Sequence, residues 1–355
     1  MNCLTLAVAG GRKTQSIVDH CAGAAQGRRI LVLTYTQANQ RELDARLSRH
    51  RPLLASVDVQ GWFSFLLSHW VRPYLPRRFP QRRLRGLNFD GDPGQYATGE
   101  PRFLDAEGRA YKRHLAQLAL DTNAACASAV LDRLHRMYDE VHIDEVQDLN
   151  GYDLEVLAAL MQSPIELHLV GDVRQALLRT NAHDPKNKQY MGIRIKAWFD
   201  VQASAGLLEI SHASTTWRSN QLIADFADSI FDASWGFEKT ISENSSVTDH
   251  DGMFVVLPEH VATYMERFDP LCLRHSVSSA VSLDLPFSNI GVAKGRSADR
   301  VLIAPTKPMV DFLCKRKPLG DLAACSLYVA VTRARASAAF VSDLGGKLGL
   351  PVWTP

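Results

Sequence analysis

Short apolar runs alternating with segments of helical period constrain this chain most, because that grammar builds a parallel sheet with helices on its faces. Residues 4–9 read as a strand, followed by a Gly-Gly turn and a helix over 15–25. A strand at 29–34, a helix at 37–49 and a strand at 54–59 continue the pattern, and 62–71 reads as a helix with an aromatic-rich buried face. From 72 to about 108, prolines and glycines interrupt every period, and six arginines fall between Arg72 and Arg85 with no Asp or Glu between Asp58 and Asp90. That stretch reads as an inserted subdomain or exposed loop. Helical spacing returns over 110–137, then a strand at 141–143, a helix at 152–161 and a strand at 166–170. The second half repeats the grammar: helices at 220–231 and 308–315, strands at 253–257, 299–304 and 336–341, and a polar linker at 234–251. The fold class expected is α/β, and 355 residues at roughly 150 per domain suggest two domains.

Composition narrows the classes. Hydrophobic residues at 46% and charged residues at 22% fit an ordinary globular chain, not a disordered one. Forty Lys+Arg against 38 Asp+Glu leave +2, a total that names no partner. The six cysteines form no CxxC pair, so zinc-ligand cysteine spacing is absent and buried thiols in a reducing, cytoplasmic setting are expected. No apolar run is long enough to span a bilayer.

Chemistry concentrates at the strand ends. Gly10-Gly11-Arg12-Lys13-Thr14 lies between a strand and a helix, where glycine amides and a helix N-terminus can cradle phosphate, a Lys can neutralise it and a hydroxyl can hold Mg2+. In the usual spacing of such loops, however, flanking glycines would fall at Ala7 and Arg12. Asp144-Glu145 ends a strand, and paired acids there can divide the work of holding Mg2+ and activating water. Gly171-Asp172-Val173-Arg174-Gln175 follows the next strand. Trp217-Arg218-Ser219, Lys294-Gly295 and Tyr328 through Arg335 complete the series, with arginines suited to a phosphoryl group whose charge redistributes.

Taken in order, these motifs resemble superfamily 1 helicases of the UvrD/Rep/PcrA type, from about Ala7 to Val341. Thr34-Tyr35-Thr36-Gln37-Ala38 matches a segment that contacts single-stranded DNA in that family. The resemblance implies two RecA-like lobes with ATP or another NTP between them: residues 1–71 with 138–215, then 216–355, with 72–137 as a basic insertion in the first. It assigns Gly10, Gly11, Arg12, Lys13, Thr14, Trp217, Lys294 and Gly295 to the nucleotide, and Thr14 and Asp144 to Mg2+. Catalysis falls to Glu145, Gln175, Arg218 and Arg333. The implied partner is single-stranded DNA or DNA ends, at Thr34, Tyr35 and Thr36. The residue pattern itself adds Arg77, Arg78, Arg82 and Arg83, interleaved with Tyr74 and Phe79, as either a phosphate-backbone contact or a solvated basic loop with a structural role.

Departures from the family carry their own expectations. The adenine-recognising glutamine segment is not found ahead of the first strand, and Trp217 stands where an aromatic stacks on the base, so relaxed nucleobase preference is expected. Arg12 replaces a loop glycine, which implies either a different backbone path or an extra cation on the phosphates. Lys294-Gly295-Arg296-Ser297 lacks the usual Glu, and Ala176-Leu177-Leu178 lacks a DNA-stacking tryptophan run. Only about seventy residues separate Ser219 from Lys294, where longer relatives carry a subdomain. This compact form resembles the helicase-like component of Gabija-type anti-phage systems, which implies an OLD-family nuclease as partner. Three readings stay open: a DNA-stimulated NTPase motor, a DNA-sensing subunit with weak or no turnover that controls the nuclease, and a pseudo-enzyme that only binds DNA.

Overall fold

The computed structural model describes residues 1–50, 55–178, 180–181, 184–279 and 283–355. Two six-stranded sheets organise the chain. The first runs in the order Ser56–Gly61, Arg29–Thr34, Glu140–Ile143, Glu166–Gly171, Cys3–Ala7, Glu209–Ala213. Arg29–Thr34 pairs in parallel with both Ser56–Gly61 and Glu140–Ile143, which in turn pairs in parallel with Glu166–Gly171. Central strands of such a sheet are covered on both faces, which is why Ile30 through Thr34 are all buried and read as one continuous apolar run. The helix Lys13–Gly23 covers one face with Ile17, Val18 and Cys21, packed with Ile30, Val32, Leu43 and Val170.

The second sheet is ordered Ser288–Asn289, Leu271–Arg274, Ala298–Ile303, Ala334–Val341, Gly252–Val256, Val352–Trp353, with parallel pairing throughout. Its core surrounds the helix Asp321–Val331, in which every residue from Ala324 to Val331 is buried. A helix apolar all round has no periodic stripe, so the sequence pattern does not reveal it. The helix Ile195–Ser204 and the short strand Leu271–Arg274 are likewise absent from the expected elements.

By compactness the chain divides into two units: Met1–Thr5, Lys13–Gly171 and Arg179–Ser211 form one, and Leu6–Arg12, Asp172–Leu178 and His212–Pro355 the other.

Several expected elements change shape. The helix expected over 62–71 is an α-turn, Trp62–Phe65, that widens into a π-helix, Leu66–Val71, burying Trp62, Phe65 and Trp70. The helical stretch expected over 110–137 is Leu115–Ala125 and Ala129–Met137, broken where Ala127 and Ser128 take positive φ. Of the strand expected at 54–59, Leu54 lies outside the described residues and the rest is Ser56–Gly61. Within the polar stretch 234–251, Ile241–Ser242 pairs in parallel with Thr215–Thr216. All six cysteines are free thiols, with Cys21, Cys272 and Cys325 buried. Among the described residues no helix is long and apolar enough to cross a membrane.

Candidate functional site

In the first unit, Lys13 and Thr14 open the helix Lys13–Gly23, and Asp144 follows the strand Glu140–Ile143. Thr14 Oγ1 donates to Asp144 Oδ2 at 3.0 Å, so a hydroxyl and a carboxylate converge on one point. Asp144 is buried, and its carboxyl is pushed up by that burial and by the neighbouring charge of Glu145, against the pull of Lys13. A hydroxyl oxygen beside a buried carboxylate oxygen is a hard donor set that suits Mg2+.

Glu145 takes a left-handed φ of 57°, and its amide donates to Asp144 Oδ1 at 2.9 Å. Its carboxylate accepts from Gln147 Nε2, which orients it. Gly171 makes room for that glutamine: a Cβ there would lie 2.5 Å from Gln147 Oε1 and 2.9 Å from Val146.

The second unit holds a different set. Gly10 has φ +76°, and a Cβ on it would lie 2.6 Å from both Arg218 Cβ and Thr216 Oγ1, so only glycine fits. Thr216 Oγ1 donates to the Ala9 carbonyl at 2.8 Å, and the Trp217 amide to the Gly10 carbonyl at 3.2 Å. Arg12 has φ 56°, so it follows a path glycine would favour, and its guanidinium lies 4.3 Å from the centroid of the Trp217 ring. Arg218 Nη1 donates to the Thr332 carbonyl at 3.2 Å.

A hydrogen-bonded relay runs onward from Ala9. Its amide donates to Tyr328 Oη at 3.1 Å, and that hydroxyl donates to Asp172 Oδ2 at 3.1 Å. Gln175 Nε2 donates to the same oxygen at 2.8 Å, and Gln175 Oε1 accepts from Arg333 Nη2 at 2.9 Å. Arg333 is buried, with further bonds to the Val329 and Arg296 carbonyls. The Arg296 bond ties it to the turn that carries Lys294 and Gly295. Burial raises the Tyr328 pKa, so the hydroxyl stays a donor. Arg174 braces the relay by lying 4.6 Å over the Tyr328 ring and bonding Asp228 at 2.9 Å.

The expected DNA residues divide by role. Thr34 is buried at a strand end, and Thr36 caps the helix Gln37–Ser48 by accepting from the Asn39 amide at 3.2 Å. Tyr35 packs edge-on against Phe63, which packs against the exposed Phe89, with Lys112 Nζ 5.3 and 5.0 Å from those two rings. Sequence reasoning misses Phe63, Phe89 and Lys112; Phe89 stands among the arginines, but nothing local joins it to Tyr35. Arg77, Arg78, Arg82 and Arg83 are all exposed, Arg82 paired with Glu100 and Arg78 lying 4.8 Å from the Phe79 ring. The interleaved aromatics turn inward instead of facing solvent: Phe79 is buried against Phe103, and Tyr74 Oη donates to the Ala129 carbonyl at 3.1 Å.

With this geometry in hand, comparison with known proteins adds a family segment. Residues 104–191 match the UvrD/REP helicase N-terminal domain. A protein of Levilactobacillus brevis, one of the subunits of an ATP-dependent helicase/nuclease, is 29% identical over 125 residues, covering 33% of this chain and 9% of that protein. Arterivirus nonstructural protein 10 (helicase), alone and in complex with DNA, is similar over 99% and 98% of this chain at 13% identity, with TM-scores of 0.49 and 0.47. The chain spans 62% and 63% of the length of those two structures. The chain is thus similar to UvrD-like helicases through the segment that carries Asp144, Glu145, Asp172 and Gln175, set in two parallel-sheet α/β domains.

Proposed function

We propose that this chain is a UvrD-like motor that hydrolyses ATP or another NTP with Mg2+ when bound to single-stranded DNA or DNA ends. The observation that carries the reading is the relay from the phosphate loop at Ala9 through Tyr328, Asp172 and Gln175 to Arg333. A motor needs its phosphate contacts wired to groups that change partners as the γ-phosphate comes and goes. Gln175 touches both Asp172 and Arg333, so a γ-phosphate competing for either contact would alter both.

In this proposal residues 1–71 and 138–215 form the first RecA-like lobe, 72–137 its insertion and 216–355 the second lobe. Gly10, Gly11 and Lys13 bind phosphate and Arg12 stands at the nucleotide beside Trp217, while Thr14 and Asp144 hold Mg2+, which would supply charge neutralisation at the phosphates. Glu145, oriented by Gln147, accepts the proton of attacking water. Arg218 and Arg333 offset charge on the transferring group, Trp217 stacks on the base, and Lys294 and Gly295 complete the phosphate contacts. DNA would lie along Tyr35, with Thr34 buried beneath it and Thr36 capping the helix that follows, and along the exposed Arg77, Arg78, Arg82 and Arg83.

The finer reading places the motor in anti-phage defence beside an OLD-family nuclease. It rests on the compact form and on the name of the matched relative, which belongs to a helicase/nuclease. One observation favours the alternative, a DNA-sensing subunit with weak turnover: the Arg12 guanidinium already occupies a face of Trp217 that a nucleobase would need.

The test is NTP hydrolysis with and without single-stranded DNA for wild type, Lys13→Ala and Glu145→Gln. DNA-stimulated turnover abolished in both variants is the expected result. DNA binding without turnover in the wild type would sink the motor reading and leave the sensing one.

A further inference from the structure

Away from the phosphate loop, the first unit brings together four side chains that no motif joins. Glu140 and His142 stand two residues apart on one strand and so share a face. His168, on the neighbouring strand, is in register with His142, and the two rings stack at 4.5 Å. His20, in the last turn of the helix Lys13–Gly23, lies over the same face, 4.6 and 5.1 Å from the other two rings.

The nitrogens converge on one oxygen. His20 Nε2 is 2.7 Å, His142 Nε2 3.1 Å and His168 Nε2 3.9 Å from Glu140 Oε2. One ligand atom from each residue lies within 4.8 Å of every other. Around a zinc ion with bonds of about 2.0–2.2 Å, tetrahedral ligand atoms stand roughly 3.3–3.5 Å apart. The observed nitrogen–oxygen distances bracket that spacing, and the shell closes when the stacked His142 and His168 rings turn toward one shared point.

Two further observations point to a ligand. His168 Nε2 is buried with no hydrogen-bond partner, which is costly for a polar atom unless something else satisfies it. The surroundings are also arranged as outer supports. Arg28 Nε takes the other oxygen of Glu140, leaving Oε2 turned to the rings, and Cys3 Sγ lies 3.1 Å from His168 Nδ1, fixing that ring. Glu140 and His142 side chains are 5% and 3% exposed, while His20 at 40% leaves a way in for an ion.

We propose that His20, Glu140, His142 and His168 form a structural binding site for a divalent transition metal, with zinc as the ion it suits best. Three imidazoles and one carboxylate fill four tetrahedral positions and leave none open for substrate, the pattern of a structural site. His20 stands seven residues from Lys13, about 10 Å along the helix, and Asp144 four residues from Glu140, about 13 Å along the strand. The ion would therefore pin the helix that starts with Lys13 and Thr14 to the strands that lead to Asp144 and Gly171, at the end remote from them.

The full chain, stripped with a chelator and dialysed against Zn2+ in excess Mg2+, provides the test. Wild type and Asp144→Asn should each retain one equivalent, with the thermal midpoint raised by Zn2+. His20→Ala, with its fold checked by circular dichroism, should bind at least about 100-fold more weakly and lose the thermal shift. Undiminished binding in His20→Ala, or loss of the equivalent in Asp144→Asn, would overturn the proposal. Co2+ added to wild type gives a readout independent of any variant: intense tetrahedral visible bands support the site, and weak octahedral ones reject it.

Discussion

Arg12 illustrates what one residue decides. A left-handed backbone costs a non-glycine residue roughly 1–2 kcal/mol, and an exposed cation–π contact returns only about 0.5–1 kcal/mol. Arg12 accepts that strain, at φ 56°, and lies on the Trp217 ring. Its backbone takes the left-handed conformation that glycine favours, and its guanidinium rests against the tryptophan. Arg12→Gly should therefore open the Trp217 face and lower the KM for NTP several-fold, with folding stability little changed. A KM raised tenfold or more would instead assign the guanidinium to the phosphates, since that corresponds to about 1.4 kcal/mol of lost binding.

Trp62, at the head of the α-to-π segment, donates Nε1 to Asp153 Oδ1 at 2.7 Å, fixing that segment to the helix Tyr152–Met161. Asp153 is buried, and burial pushes its carboxyl up to about 6, with Asp184 adding to the rise and the bonds from Thr180 and Trp62 opposing it. A raised folded value means the stabilising, neutral form is fully present below about pH 4 and is lost as pH rises through about 6. Asp153→Asn keeps an acceptor for Trp62 and removes the buried charge. It should raise the thermal midpoint at pH 8, by up to about 2–3 kcal/mol in stability, and leave it nearly unchanged at pH 4. Equal shifts at both pH values would contradict this account.

Element legibility follows periodicity. Arg29–Thr34 and Tyr152–Met161 lie where the pattern predicts them, because one is a continuous apolar run and the other a stripe with polar flanks. Asp321–Val331 is legible only as a motif, because burial on all sides erases the stripe from which a helix is recognised.

At the scale of the molecule, charge distribution matters more than its near-zero total. Each phosphate neutralised on a single strand contributes about −0.7 to the slope of log affinity against log salt. Arg82 is already paired with Glu100, whereas Arg77 and Arg83 are exposed. Replacing Arg77 and Arg83 by Ala together should flatten the salt slope for single-stranded DNA by about 1.4, and Arg82→Ala should flatten it less. An unchanged slope in the double variant would remove this segment from the DNA path.

The α/β class and the order of the chemical motifs can be read along the chain, because strand, loop and phosphate-binding chemistry are local and survive in a few neighbouring residues. Lys13, Thr14, Asp144 and Glu145 were legible for that reason. Which of these residues meet is a property of the folded chain. Tyr328 and Asp172 stand 156 residues apart and Arg333 and Gln175 158, and no spacing rule joins them. His20 reaches Glu140 across 120 residues because a helix crosses the face of a strand. Such contacts depend on sheet order and register, which are fixed by packing of the whole fold and leave no trace in any short stretch of sequence.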